Sequence, residues 1–235
     1  VEHSDRRSRA LAAEAGCYET WRAAALSGVP ESTVYYWART GIVKPSISPV
    51  KEKLWSYGDL MALRIISWLR HSKHIDNDII RASPMTEVRR SLALLDSLNL
   101  DIWHSNGDNA RSASPLLVDK EGKIFLRTEE GLLNTRGQRI VSLPVEFFDL
   151  LAPFDLAGQH GPDLLRPRPH LRIVPLKVAG EPHIADSRIT SRSLAALSRR
   201  GFDPDRIAGM YRVDRQSVIE ALDLESQLKL LQSAA

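Results

Sequence analysis

Between Gly180 and Leu228 the chain reads GEPHIADSRITSRSLAALSRRGFDPDRIAGMYRVDRQSVIEALDLESQL, and its helix-stop and helix-start residues leave few ways to fold it. An extended piece, Pro182 to Ile184, leads to Arg188, Ile189 and Thr190, and Ser191 is expected to cap a helix that buries Leu194 and Leu197. Gly201 ends that helix, because glycine takes the left-handed position after a helix without a Cβ penalty; Arg199 and Arg200 suit the negative end of the helix dipole. Asp203 followed by Pro204 is an N-cap with proline in the first helical position, and it starts a second helix through Ile207 and Met210. A third helix begins at Asp214 and carries Val218, Ala221, Leu222, Leu228 and Leu231 at helical spacing. Local chemistry alone therefore predicts a three-helix unit preceded by strand.

The Gly-x-Pro turn, the Arg188-Ile189 pair, the helix ending in arginine and glycine, the short second helix and the Ala221-Leu222 pair together resemble a small helical domain. It is found in VapB-type bacterial antitoxins and was long labelled as of unknown function. The resemblance runs from His170 onwards. One position departs from it: the family has Gly-Thr-Arg where this chain has Asp186-Ser187-Arg188, so Asp186 must take the left-handed turn itself.

Composition limits what the rest can be. With 235 residues, 43% of them hydrophobic, there is room for one large or two ordinary domains with real cores. No apolar run has the length of a membrane span and no charged n-region precedes an apolar core, so the expected location is the cytoplasm. The single Cys17 forms no internal disulfide. A net charge of +3 permits nucleic-acid binding only where basic residues cluster.

Such a cluster lies near the amino terminus. Residues 1 to 16, with Arg6, Arg7 and Arg9, read as either a frayed arm or a first helix. Trp21 to Ser27 reads as a helix whose Ala24 and Ala25 allow close approach; Gly28-Val29-Pro30 makes a tight turn; Glu31 to Thr40 is a second helix with Val34 and Trp37 turned inward. Two short helices joined by a glycine-containing turn form a helix-turn-helix, whose second helix fits the DNA major groove. Residues 42 to 55 are a candidate wing, and Ser56-x-x-Asp59 is a capping box for a third helix lined by Leu60, Leu63, Ile66 and Leu69.

The motifs Ser32-Thr33-Val34-Tyr35-Tyr36-Trp37, Gly41-Ile42-Val43-Lys44-Pro45 and Trp55-Ser56-Tyr57-Gly58-Asp59-Leu60 resemble the winged head of MerR-type transcription regulators. Those heads place arginine where Tyr35 stands, so that arginine's contact does not carry over. Expected phosphate partners are Arg39, Lys44, Lys51 and Lys53, with Ser32, Thr33 and Tyr35 facing base edges; Tyr36 matches the family and belongs to the same surface.

In the middle of the chain, His71-x-x-His74 lacks further ligands and reads as solvated surface rather than a metal pair. Ser83-Pro84 starts a helix with Met85, Val88, Leu92 and Leu95 along a seam that either pairs two copies or packs within the chain. Leu116-Leu117-Val118, Ile124-Phe125-Leu126 and Ile140-Val141, broken at Glu121-Gly122, Glu130-Gly131 and Arg136-Gly137, predict a small antiparallel meander. Glu129 and Glu130 point to opposite faces of a strand and read as turn residues. No phosphate-cradling glycine loop, nucleophile elbow or convergent acid-base set is present, so neither an enzyme nor a cofactor is expected.

The segment from Ala152 to Pro175 is rich in proline and bears Arg166, Arg168 and Arg172. VapB-type antitoxins pair with PIN-domain ribonucleases, which hold magnesium in an acidic site. The resemblance thus implies that an extended arginine lies in that groove, with Arg166, Arg168, Arg172 and Arg188 as the leading candidates and Arg192, Arg199 and Arg200 beside them. The expected fold class is α+β: an N-terminal winged helix-turn-helix over residues 1–80, a dimerisation helix and β meander over 81–151, a basic linker over 152–169 and a strand plus three-helix domain over 170–235. The implied function is an antitoxin that also binds operator DNA and represses its operon, as a homodimer or a larger toxin-antitoxin assembly, with no membrane partner. The alternative is a ligand-responsive MerR-like regulator without a toxin.

Overall fold

The computed structural model describes residues 16–50, 52–75, 78–102, 104–106, 111–140, 148–149, 155–156, 159–160, 167–174 and 177–233. The arginines of the amino-terminal arm, Lys51, Val141 and Arg166 lie outside them. The fold is α+β, with seven α-helices and several small antiparallel sheets among the described residues. No described helix is long and apolar enough to cross a membrane.

Contacts divide the chain into two units, Val1–Leu60 together with Pro162–Ala235, and Met61–Gly161. This grouping differs from the four consecutive segments read from the sequence. Residues 1–60 of the expected head share one unit with the expected tail and the end of the expected linker, while residues 61–80 of that head fall in the other unit with the chain up to Gly161.

In the first unit, strand β1 (Tyr18–Glu19) pairs antiparallel with β2 (Leu54–Trp55), Tyr18 opposite Trp55. Helix α1 (Thr20–Ser27) is buried nearly all round and ends at Gly28, which is left-handed at φ 72°. Helix α2 (Glu31–Arg39) turns Val34 and Trp37 inward. Helix α3 (Tyr57–Arg70) begins in this unit and opens on the expected capping box: Asp59 accepts from Ser56 N at 2.8 Å, and Ser56 Oγ accepts from Asp59 N at 3.2 Å.

The same unit contains the carboxyl-terminal elements: the paired strands β14 (Leu171–Arg172) and β15 (His183–Ile184), then helices α5 (Ser191–Arg199), α6 (Pro204–Tyr211) and α7 (Arg215–Ser233). Gly201 and Asp186 sit at φ +90° and +58°, the left-handed positions the sequence required. Asp203 caps α6 by accepting from Arg206 N, with Pro204 next to it. The cap of α5 is Thr190 rather than Ser191, its Oγ1 accepting from Ser193 N. Ser191 is one residue inside the helix and its hydroxyl donates to Glu225. Leu194, Ile207, Val218, Ala221, Leu224 and Leu228 form the core between the three helices, whereas Leu197 is half-buried and Met210 is 55% exposed.

In the second unit, the hairpin of β3 (Lys73–Ile75) and β4 (Asp78–Ile80) precedes helix α4 (Met85–Ser97). Two-residue to three-residue ladders join β5 (His104–Asn106) to β6 (Arg111–Ala113) and β12 (Asp155–Leu156) to β13 (Gln159–His160). The expected meander is a five-stranded antiparallel sheet in the order β10-β9-β8-β7-β11, built from β7 (Leu116–Val118), β8 (Ile124–Thr128), β9 (Gly131–Asn134), β10 (Arg139–Ile140) and β11 (Phe148–Asp149). Its β9 carries no strand signal in the sequence, because Gly131-Leu132-Leu133-Asn134 lacks the β-branched residues that mark strands. The seam of α4 packs against β8, burying Val88 and Leu95 within the chain.

Candidate nucleic-acid interface

Helix α2 starts directly after Pro30, carries Glu31 in its first turn and Arg39 in its last, and so agrees with the helix dipole at both ends. Its inward residues Val34 and Trp37 are 0% and 6% exposed, which fixes the rotation of the helix. The opposite stripe is Ser32, Tyr35, Tyr36 and Arg39, the i, i+3, i+4, i+7 spacing of one helical face. All four are exposed, the two tyrosines nearly half, so they do not complete the core.

Cations lie beside both rings: the Arg39 guanidinium is 5.9 Å from the Tyr36 centroid and the Lys53 ammonium 5.8 Å from that of Tyr35. Thr33 is half-buried on the flank.

The segment after α2 is held in place by polar contacts. Ser48 and Leu54 exchange backbone hydrogen bonds of 3.2 and 3.0 Å, closing a loop. Ser46 donates to Asp59 from both its N–H and its hydroxyl, tying the loop's start to the first turn of α3. Burial pushes the Asp59 carboxyl up from its ordinary value, and its hydrogen bonds to Ser46 and Ser56 only partly offset this. Lys44 is exposed beside the turn at Gly41, and Lys53 is half-buried where the loop joins β2. Thus Lys53 shares the face of Tyr35, while Lys44 stands at the start of the loop.

The expected toxin-binding arginines have different surroundings. Arg168 forks onto Asp223 of α7 at 3.0 and 2.8 Å and also donates to Gln227 at 2.6 Å. Arg172 donates to the backbone oxygens of Pro169 and Leu171. Both are engaged within the chain, as a short turn at Pro169-His170 brings this segment onto α7; His170 likewise meets Glu220 at 2.7 Å. Arg188, Arg199 and Arg200 are exposed, and Arg192 lies 5.7 Å over the Trp21 ring of α1. His71 bonds through Nδ1 to Ser67 O, and Glu129 and Glu130 occupy a turn.

What sequence reading passed over is the cluster that positions α1. Arg22, 1% exposed, makes a two-pronged pair with Glu225 of α7 at 2.9 and 2.7 Å and a third bond to Glu181 at 2.7 Å. Burial works against its charge, but the bonds and charges of Glu225 and Glu181 prevail and hold its pKa above the ordinary value. The signal was available: one arginine in an alanine-rich buried helix requires a counter-charge. Nearby, the Tyr18 hydroxyl donates to Gly180 O at 2.7 Å, and a Cβ on Gly180 would stand 2.1 Å from that hydroxyl.

Residues 172–223 match the family described as "Protein of unknown function (DUF433)", inside the segment whose motifs carry the antitoxin-associated resemblance. No curated protein matches the chain. Among solved structures it is similar in fold to the X-ray crystal structure of Rv2018 from Mycobacterium tuberculosis, with a TM-score of 0.51 and 15% identity over 87% of this chain and 96% of that one.

Proposed function

We propose that the chain is a DNA-binding antitoxin: α2 and the loop after it read an operator, and the carboxyl-terminal part inhibits a PIN-domain ribonuclease. The observation that carries the first half is the outward stripe Ser32, Tyr35, Tyr36 and Arg39, with Lys53 over Tyr35 and Lys44 at the edge of the loop. Hydroxyl and aromatic groups of this kind meet base edges and sugar, and the cations meet phosphates. On this reading α1 and α2 form a helix-turn-helix and the 42–55 loop is its wing. The second half is supported by the tail's resemblance to VapB-associated domains and by the match at 172–223.

Because Arg168 and Arg172 are bonded within the chain, Arg188 is the described member of the four expected arginines best placed to meet the carboxylates around a toxin's magnesium. Two measurements test the proposal. Affinity for duplex DNA taken from upstream of the gene should fall with salt, and Arg39→Ala or Lys44→Ala should each reduce the logarithmic slope by about 0.9. Capture from the native cell should recover a magnesium-dependent ribonuclease, and Arg188→Ala should weaken its inhibition. DNA binding without any such nuclease would favour the ligand-responsive regulator instead.

A further inference from the structure

Helix α1 turns one side chain outward. Thr20 and every residue from Arg22 to Ser27 are buried, whereas Trp21, in the first turn, is half-buried. Glu19, the acid just before the helix, accepts a hydrogen bond from the Trp21 indole N–H. Two guanidinium groups lie over the Trp21 ring, that of Arg22 at 5.6 Å from the centroid and that of Arg192 of α5 at 5.7 Å.

The two arginines differ in what else they meet. Arg22 is neutralised inside the chain by Glu225 and Glu181. Arg192 is exposed and makes no hydrogen bond or ion pair among the described residues, so its donors are open to a partner.

Helix stability does not account for Arg192. With Thr190 as the cap and Ser191 first in the helix, Arg192 stands in the first turn of α5, at the positive end of the helix dipole, where a cation is disfavoured. No acid in that turn offsets it, and α5 contains none further on. A residue that breaks a local rule in this way is better explained by a contact outside the helix.

From this point α5 continues as a basic face. Ser191, Leu194 and Ala195 turn into the core, which leaves Arg192, Ala196 and Arg199 at i, i+4 and i+7 on the other side, both arginines exposed. The two are about 10 Å apart along the helix axis. Arg199, like Arg192, has no ion pair among the described residues.

We infer that Arg192, seated on Trp21, and Arg199 grip the phosphate backbone of DNA beside the groove that α2 reads. In a helix-turn-helix the second helix enters the major groove while the first crosses the backbone. Helix α1 has no free cation for that crossing, since Arg22 is neutralised and Trp21 is its one outward side chain. Arg192 lies over that side chain and supplies the missing charge, and a guanidinium forks onto phosphate oxygens. The inference rests on the reading of α1 and α2 as a helix-turn-helix and names the residues, distant in sequence, that carry the first helix's share of the contact.

The test uses the full chain and a fluorescent duplex from upstream of its gene, with anisotropy followed across salt concentrations. Arg192→Ala with Arg199→Ala removes two phosphate contacts and should flatten the slope of log K against log salt by about 1.8. Arg192→Lys with Arg199→Lys should keep the wild-type slope, because counterion release follows charge. Arg39→Ala, on α2, serves as the reference for the proposed function.

A wild-type slope in the alanine pair, with the slope flattened in Arg39→Ala, would overturn the α5 contact and leave the proposed function standing. If the same pair then weakened inhibition of the captured nuclease, the face would belong to the toxin together with Arg188. Absence of binding by the wild-type chain would overturn both readings. Circular dichroism and thermal melts of each variant separate lost contacts from lost fold.

Discussion

Arg22 shows how much a single side chain decides in this molecule. Its guanidinium is removed from water, and Glu225 and Glu181 supply the charge that makes this tolerable. Arg22→Ala leaves two part-buried carboxylates facing each other and should destabilise the chain by about 3–5 kcal/mol, read as a lower urea midpoint; Arg22→Met combined with Glu225→Leu should recover much of it. Lys73 is the other buried cation. It is 0% exposed, donates to Trp68 O at 2.7 Å and lies over the Trp68 ring, yet burial pushes its pKa down from 10.5 to about 7.

The folded chain thus binds fewer protons at this site than the unfolded chain between those two values, so stability rises with pH across that window and is lowest below pH 7. Lys73→Met should flatten that rise, measured by denaturation at pH 6.5, 8 and 10. The alanine-rich helix around Arg22 marks it as buried, but its partners Glu181 and Glu225 lie too far along the chain to be read from sequence, and the burial of Lys73 depends on the fold around it. By contrast, the left-handed Asp186 and Gly201 and the Asp203 cap were readable, because turn and cap chemistry is decided by a few neighbouring residues.

At the scale of elements, helices were legible wherever start and stop signals stood close together, and α1, α2, α6 and their turns fall where the sequence placed them. The inward faces were legible as well: Leu60, Leu63, Ile66 and Leu69 of α3 are all 0% exposed. Partners of those faces were not, as periodicity shows that a stripe is buried without saying against what. Helix α4 illustrates this, for its seam fitted either a second copy or the chain's own sheet. With Val88 and Leu95 packed inside the second unit, Leu95→Ala should cost about 2–5 kcal/mol in stability. It should leave the oligomeric state, followed by light scattering, unchanged. A shift to monomer on this substitution would contradict the internal packing. The candidate interface was legible for the same reason as α4's seam: removing Val34 and Trp37 to the core leaves only one stripe of α2 to face outward.

At the scale of the whole molecule, the order of segments along the chain misled, because neighbours in sequence suggested separate head and tail domains. The first unit instead draws on Val1–Leu60 and Pro162–Ala235, joined by contacts such as Arg22 to Glu225 and Tyr18 to Gly180 that no local pattern foretells. Residues 1–60 made without the rest should lack the helical signal of α1 and α2, and addition of residues 162–235 in trans should restore it. A folded isolated head would contradict the shared core. The pairing of Arg22 with Glu225 also bears on how the protein is made. A ribosome releases α1 well before the residues that neutralise its arginine, so α1 and α2 mature only after α7 has emerged. Chains whose translation stops before α7 would then leave α1 and α2 unfinished as well, with Arg22 unpaired and the helices open to proteases.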